Sequence, residues 1–251
     1  GNVGLKLHLN DNQMFYTSFS KGYKGPAIDV SASAVIADPT KDSTLDSEKV
    51  YNYEIGSKST LMDGSVGINA TLFYSEVEDF QASSFDSPTS TFVLKNAGEV
   101  STKGLELEIY ADLSENLGVN LGVAYVDAQF DKFVGVSCTS PQLQARTCFS
   151  STASAPPGAM IGQDLSGETV NQTPKWSVLA GVQYDFQVGD IPGYARIDAS
   201  WKDDSVSDLD LDPHTAIDSY ALVNLEIGVT LASGIEITGW VRNATDTEYT
   251  N

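Results

Sequence analysis

KGLELEIYADLSENLGVNLGVAYV, residues 103–126, is the stretch that decides the fold. In its first half Leu105, Leu107, Ile109 and Ala111 alternate with Gly104, Glu106, Glu108 and Tyr110. After Ser114–Asn116, Leu117, Val119, Leu121, Val123 and Tyr125 alternate with Gly118, Asn120, Gly122, Ala124 and Val126. A period of two gives a strand one apolar and one more polar face, whereas an amphipathic helix repeats every 3.6 residues. Two such runs joined by a short polar segment read as an antiparallel hairpin.

The same alternation recurs on both sides of that hairpin. Val66, Ile68, Ala70, Leu72 and Tyr74 form one apolar face. Trp176, Val178, Ala180, Val182, Tyr184 and Phe186 form another, and Ala221, Val223, Leu225, Ile227, Val229 and Leu231 a third. Ten strands are expected, over 2–9, 13–21, 50–60, 65–79, 98–111, 117–129, 174–187, 193–203, 218–231 and 234–244. Their connections alternate in length. Residues 10–12, 61–64, 114–116, 188–192 and 232–233 are tight turns, and 22–49, 80–97, 130–173 and 204–217 are long loops. Turns at one end and loops at the other mark an all-β, antiparallel transmembrane β-barrel. Strands of a soluble sandwich centre near five or six residues and lack that asymmetry.

Aromatic positions agree. Tyr51, Tyr53, Tyr74, Tyr125, Trp176 and Trp201 face outward near the loop end, and Tyr184 and Phe186 face outward near the turn end. Two belts at opposite ends suit membrane interfaces. The opposite face carries Lys6, His8, Glu54, Lys58, Asn69, Thr71, Glu106, Glu108, Asn120, Gln183, Arg196, Asp198, Asn224, Glu226, Glu236, Thr238 and Arg242. A dry core would not hold so many charges, but a watery lumen or a polar plug would. A soluble sheet with one wet face predicts the same polar side.

With 34 acidic and 14 basic residues the chain has a net charge of −20, which excludes nucleic acid as a partner. The acidity reads as a solubilising surface or as recruitment of cations by acidic loops. No apolar run approaches the ~18 residues of a spanning helix, which leaves β-strands as the means of crossing a membrane. No positively charged N-region followed by an apolar run appears in the sequence, so it is expected to contain no signal peptide. No nucleophile elbow, zinc-protease helix or phosphate loop occurs in the sequence, so the chain reads as no enzyme.

Cys138 and Cys148 lie in CTSPQLQARTC. A disulfide closing a short loop in an oxidising compartment is one reading, and two free thiols are the other. Zinc is unfavoured, since His8 and His214 lie far from both. The loop 203–218, DDSVSDLDLDPHTAID, holds six aspartates. Asp208, Asp210 and Asp212 would offer oxygens to calcium, which would bridge to lipopolysaccharide phosphates. A solvated, self-repelling loop is the competing reading.

FYTSFSKGYKG (15–25), EKVYNYEIGSKSTLMDGSVGINATLFYSEVEDFQ (48–81), the segment 96–130, TPKWSVLAGVQYDF (173–186) and VRNATDTEY (241–249) resemble successive barrel strands of TonB-dependent outer-membrane receptors. The resemblance implies a 22-stranded barrel filled by an N-terminal plug whose TonB box engages TonB. On that pattern residues 1–251 form part of the barrel domain, with the plug, the early strands and the last strand lying elsewhere. It implies uptake of a scarce, bulky extracellular ligand across the Gram-negative outer membrane. A ferric siderophore leads, and an oligosaccharide or cobalamin is the alternative within the family. A passive porin or surface barrel, and a secreted adhesion domain, are the alternatives outside it. Glu54 and Glu106 match family positions that hold plug arginines, although solvated lumen carboxylates fit equally. Substrate selection would fall to the loops 22–49, 80–97 and 130–173, with no contacting residue assignable.

Overall fold

The computed structural model describes residues 1–29, 44–86, 91–96, 98–149, 156 and 162–249. Ten long strands form one antiparallel sheet in simple sequence order. They are β1 Asn2–Asn10, β2 Gln13–Lys24, β3 Glu48–Leu61, β4 Val66–Glu78 and β5 Glu99–Ser114. The others are β6 Leu117–Lys132, β7 Trp176–Val188, β8 Ile191–Lys202, β9 Tyr220–Thr230 and β10 Glu236–Val241. All ten expected strands are present. β10 is shorter than expected because the chain turns at Asn243, which has a φ of 49°. Its side-chain oxygen there accepts the Thr247 amide at 3.0 Å.

The register shows how the alternation becomes two surfaces. Leu105 pairs with Leu72 on one side and Tyr125 on the other, and Tyr125 pairs with Trp176. Leu72 in turn faces Ile55. This row is apolar across five strands. One residue along, Glu106 pairs with Thr71 and Ala124, on the opposite face.

Apolar side chains of the outer face stand exposed: Leu5 by 73%, Ile55 by 57% and Ile197 by 51%. Leaving a large aliphatic side chain in water forfeits roughly 1.5–3 kcal/mol of burial. Repeated over the whole outer surface, that cost requires an apolar solvent, and lipid supplies it.

Above this band sits an aromatic tier. Phe19 lies 5.1 Å from Tyr53, Tyr53 6.4 Å from Tyr74, and Tyr125 4.8 Å from Trp176, measured between ring centroids. Lys21 stands 4.7 Å over the Tyr51 ring one step higher. Interfacial rings and cations belong at headgroup level.

On the lumen face, rings lie flat over glycines of the neighbouring strand. Gly67 pairs with Tyr110, and a Cβ there would come within 1.9 Å of that ring. Gly228 is covered in the same way by Tyr194. Each glycine makes room for a ring, so a large side chain packs on the sheet although no second layer covers it.

The long connections depart from the expectation of plain loops. Four small hairpins rise from the rim: 27–28 with 44–45, 81–86 with 91–96, 134–136 with 163–164, and 205–206 with 216–217. A helix, α1, spans Ser140–Ala145. Thr139 and Gln142 form a reciprocal capping box at its start, with a proline in the first turn. A dry cluster of Ala82, Val100, Phe130, Phe133, Val136 and Leu165 joins the second and third of these hairpins to the ends of β5 and β6. Phe80, Val170, Leu209 and Leu211 pack against it.

Candidate functional site

Two surfaces are placed to act on a solute: the polar lumen wall and the folded cap over its outer mouth. Strand parity puts Glu54 and Glu106 on the lumen face, where they oppose Phe73 and Thr71, one pleat apart on β4. Glu54 accepts hydrogen bonds from Asn52 Nδ2 at 2.7 Å and from Ser18 Oγ at 3.4 Å. Glu106 is exposed. Among the described residues neither carboxylate enters an ion pair.

A denser network lies on β6–β9. Arg196 donates to both oxygens of Asp198, from Nε at 2.7 Å and Nη2 at 2.8 Å. Across the strand, the Tyr194 hydroxyl donates to Glu226 at 2.6 Å. Asn120 and Asp198 both lean over Gly181, where a Cβ would meet their side-chain oxygens at 2.4 and 2.8 Å. Below this network a cavity of about 460 Å³ opens toward the turn end, lined by Tyr110, Asp112, Asn120, Gln183, Asp185 and Arg196. The sequence placed Arg196, Asp198 and Glu226 on this face but gave no sign of their grouping. The one available cue was Arg-x-Asp at 196–198, a spacing that puts opposite charges on one side of a strand.

The cap has its own architecture. Cys138 and Cys148 are disulfide-bonded with Cα atoms 5.8 Å apart, and they bracket α1. The buried Gln163 side chain donates to the carbonyls of Ser137 at 2.8 Å and Asp210 at 2.5 Å, and accepts from Gln142 at 3.0 Å. Opposite, the buried Gln81 donates to the carbonyls of Gly25 and Asp46 and so joins two further loops.

The expected calcium set Asp208, Asp210 and Asp212 is not assembled. Among the described residues no group of three metal-binding side chains converges. Asp212 instead spends both oxygens on backbone: Oδ1 accepts the His214 amide at 3.0 Å and Oδ2 the Ser140 amide at 2.8 Å. The first of these bonds leads in holding its carboxyl below the usual carboxylate range. Asp210 shifts the other way, chiefly because burial penalises its charge. Its Oδ1 accepts the Asp212 amide at 3.1 Å, so these aspartates build the loop.

Apolar rows and aromatic tiers outside, charge inside, turns at one end and a folded cap at the other define the wall of an outer-membrane β-barrel. The chain belongs to the TonB dependent receptor-like β-barrel family, whose model matches residues 1–244. Proteins of this family are receptors and transporters of the Gram-negative outer membrane, and the chain is placed there.

It is 24% identical over 209 residues to the probable TonB-dependent siderophore receptor PiuA of Acinetobacter baumannii, covering 78% of this chain and 26% of that protein. The ferric yersiniabactin uptake receptor FyuA of Yersinia pestis superposes with a TM-score of 0.71 at 17% identity, over 99% of this chain and 32% of its own. The copper transporter OprC superposes with a TM-score of 0.67 at 13% identity, over 99% of this chain and 34% of its own. The chain thus spans about a quarter to a third of the length of these relatives.

Proposed function

We propose that this chain is a sector of the barrel of a TonB-dependent transporter that takes up a ferric siderophore. The observation that carries the reading is a polar lumen wall beneath a folded outer cap, in a chain of this family. Among the described residues, β1 and β10 each have a strand neighbour on one side only. Backbone groups along such edges are not tolerated in lipid, so further strands of the same barrel pair with them. Glu54 and Glu106 would face an N-terminal plug, where buried carboxylates need charged, hydrogen-bonded partners. Siderophore cargo is supported by the receptors PiuA and FyuA, and OprC makes copper the competing cargo.

The test is accumulation of radiolabelled iron from a panel of ferric siderophores, by cells with and without the full-length gene, in backgrounds with and without TonB. Uptake that needs both the gene and TonB is expected. Uptake that persists without TonB would mark a passive pore. Gene-dependent accumulation of copper, cobalamin or an oligosaccharide in place of iron would reassign the cargo.

A further inference from the structure

We propose that the segments 133–149 and 162–173 and the segment 204–217 move as one body over the barrel mouth, latched to each other by Asp212. The inference deepens the transport reading by naming the moving part, and it rests on that reading for its purpose alone. Asp212 is buried and starts a 3-10 turn, Pro213–Thr215, through the His214 amide. Its second oxygen crosses 72 residues of sequence to the Ser140 amide, in the first turn of α1. One carboxylate therefore caps two helical turns in two different loops.

Three further ties run in parallel. Gln163 bridges to the Asp210 carbonyl. Asn171 Nδ2 and Gln172 Nε2 both donate to the Ser207 carbonyl at 3.0 Å, and the Gln172 amide donates to Val206 at 2.8 Å. Leu209 and Leu211 pack against the dry cluster that Phe130, Phe133 and Leu165 help to form. The disulfide closes the segment around α1, so the carboxylate grips a constrained element. An amide deprived of its acceptor in a partly buried contact weakens that contact. Removing this carboxylate strands two amides at once, one in each loop. Asp212 is thus a positioning residue, and the two loops share one opening equilibrium.

The experiment is amide hydrogen exchange on the full-length protein in detergent at neutral pH, comparing wild type with Asp212→Ala. Exchange at 137–145 and at 205–217 is expected to accelerate together, by roughly tenfold or more, while β5–β8 keep their protection. Acceleration in one segment alone, or in neither, would overturn the proposal. A second measurement guards against a variant that fails to fold. Wild-type protein treated with a thiol reductant is expected to exchange faster at 205–217 as well as at 138–148, and loosening confined to 138–148 would also overturn it. Neither readout depends on cargo, so failure of siderophore uptake and failure of the latch are separable results.

Discussion

The barrel wall and the outer cap solve the burial problem in opposite ways. Among the described residues the largest fully buried side chains are Phe130, Phe133, Val136 and Cys148, and all four lie at or above the rim. The wall instead turns most of its leucines and isoleucines outward, as at Leu72, Leu105 and Ile197. The cap is an aqueous miniature domain, with a dry centre, a disulfide and side-chain bridges between loops. The wall has no centre and relies on lipid to cover one face. The same chain thus obeys two solvents, and the crossing point is the aromatic tier of Phe19, Tyr53 and Tyr74.

Substitutions that damage one region should spare the other. The largest effect is expected from Phe133→Ala, which empties the cap core at a cost of about 3–5 kcal/mol. Limited proteolysis should then cut within 133–149 while the wall resists heat and detergent as before. Loss of wall stability would merge the two regions into one cooperative unit.

Leu121→Arg is next. Leu121 lies midway between Leu117 and Tyr125 on the outer face, and a cation at the bilayer midplane costs about 2–4 kcal/mol. Urea unfolding from lipid vesicles measures it, with the lumen-facing Asn120→Arg as the milder control. Equal effects at both positions would deny the sidedness of the wall.

Gly67→Ala should cost less, about 1–3 kcal/mol, because the new methyl displaces the Tyr110 ring. A double-mutant cycle with Tyr110→Ala should show most of that cost vanish when the ring is gone.

The smallest effect is the response of the cap to acid, and its two aspartates oppose each other. Asp210 has its pKa raised above the ordinary 3.8, so the folded cap takes up its proton first and gains stability as pH falls through that raised value. Asp212 has its pKa lowered, so its contribution is present above 3.8 and is lost as pH falls through the lower value. Exchange rates of 205–217, divided by the unprotected-peptide rate at each pH, should pass through a shallow minimum. Asp212→Asn should remove the rise on the acid side of that minimum.

The wall was legible in the sequence because each of its strands solves the same one-dimensional problem. Leu105, Leu107 and Ile109 must share a side whatever their neighbours are, and Tyr74, Tyr125 and Trp176 announce the height of the interface. The cap obeys no such period. Phe130 and Phe133 meet at 4.7 Å and share a cluster with Ala82 and Leu165, partners from distant parts of the chain that no local period encodes. α1 was within reach, since TSPQ at 139–142 carries a threonine cap, a proline and a glutamine three residues on. The acidic loop misled because aspartates that take backbone amides are the same residues that would take calcium. Nothing near Asp212 in sequence reports that Ser140 is its partner.

The hairpin of β5 and β6 passes from lipid into the cap without a break, and its register slips beside the turn, at Leu117–Gly118, and again at the rim, between Phe130 and Lys132. The second slip leaves Asp131 as an extra residue, and such bulges bend a strand and increase its twist. A single residue therefore separates a part of the chain whose length is fixed by bilayer thickness from a part whose length is free. Insertions and deletions among homologous chains should gather beyond this point. A cassette exchanged there should alter what the cell surface presents to predators and ligands while leaving the barrel's insertion into the membrane untouched.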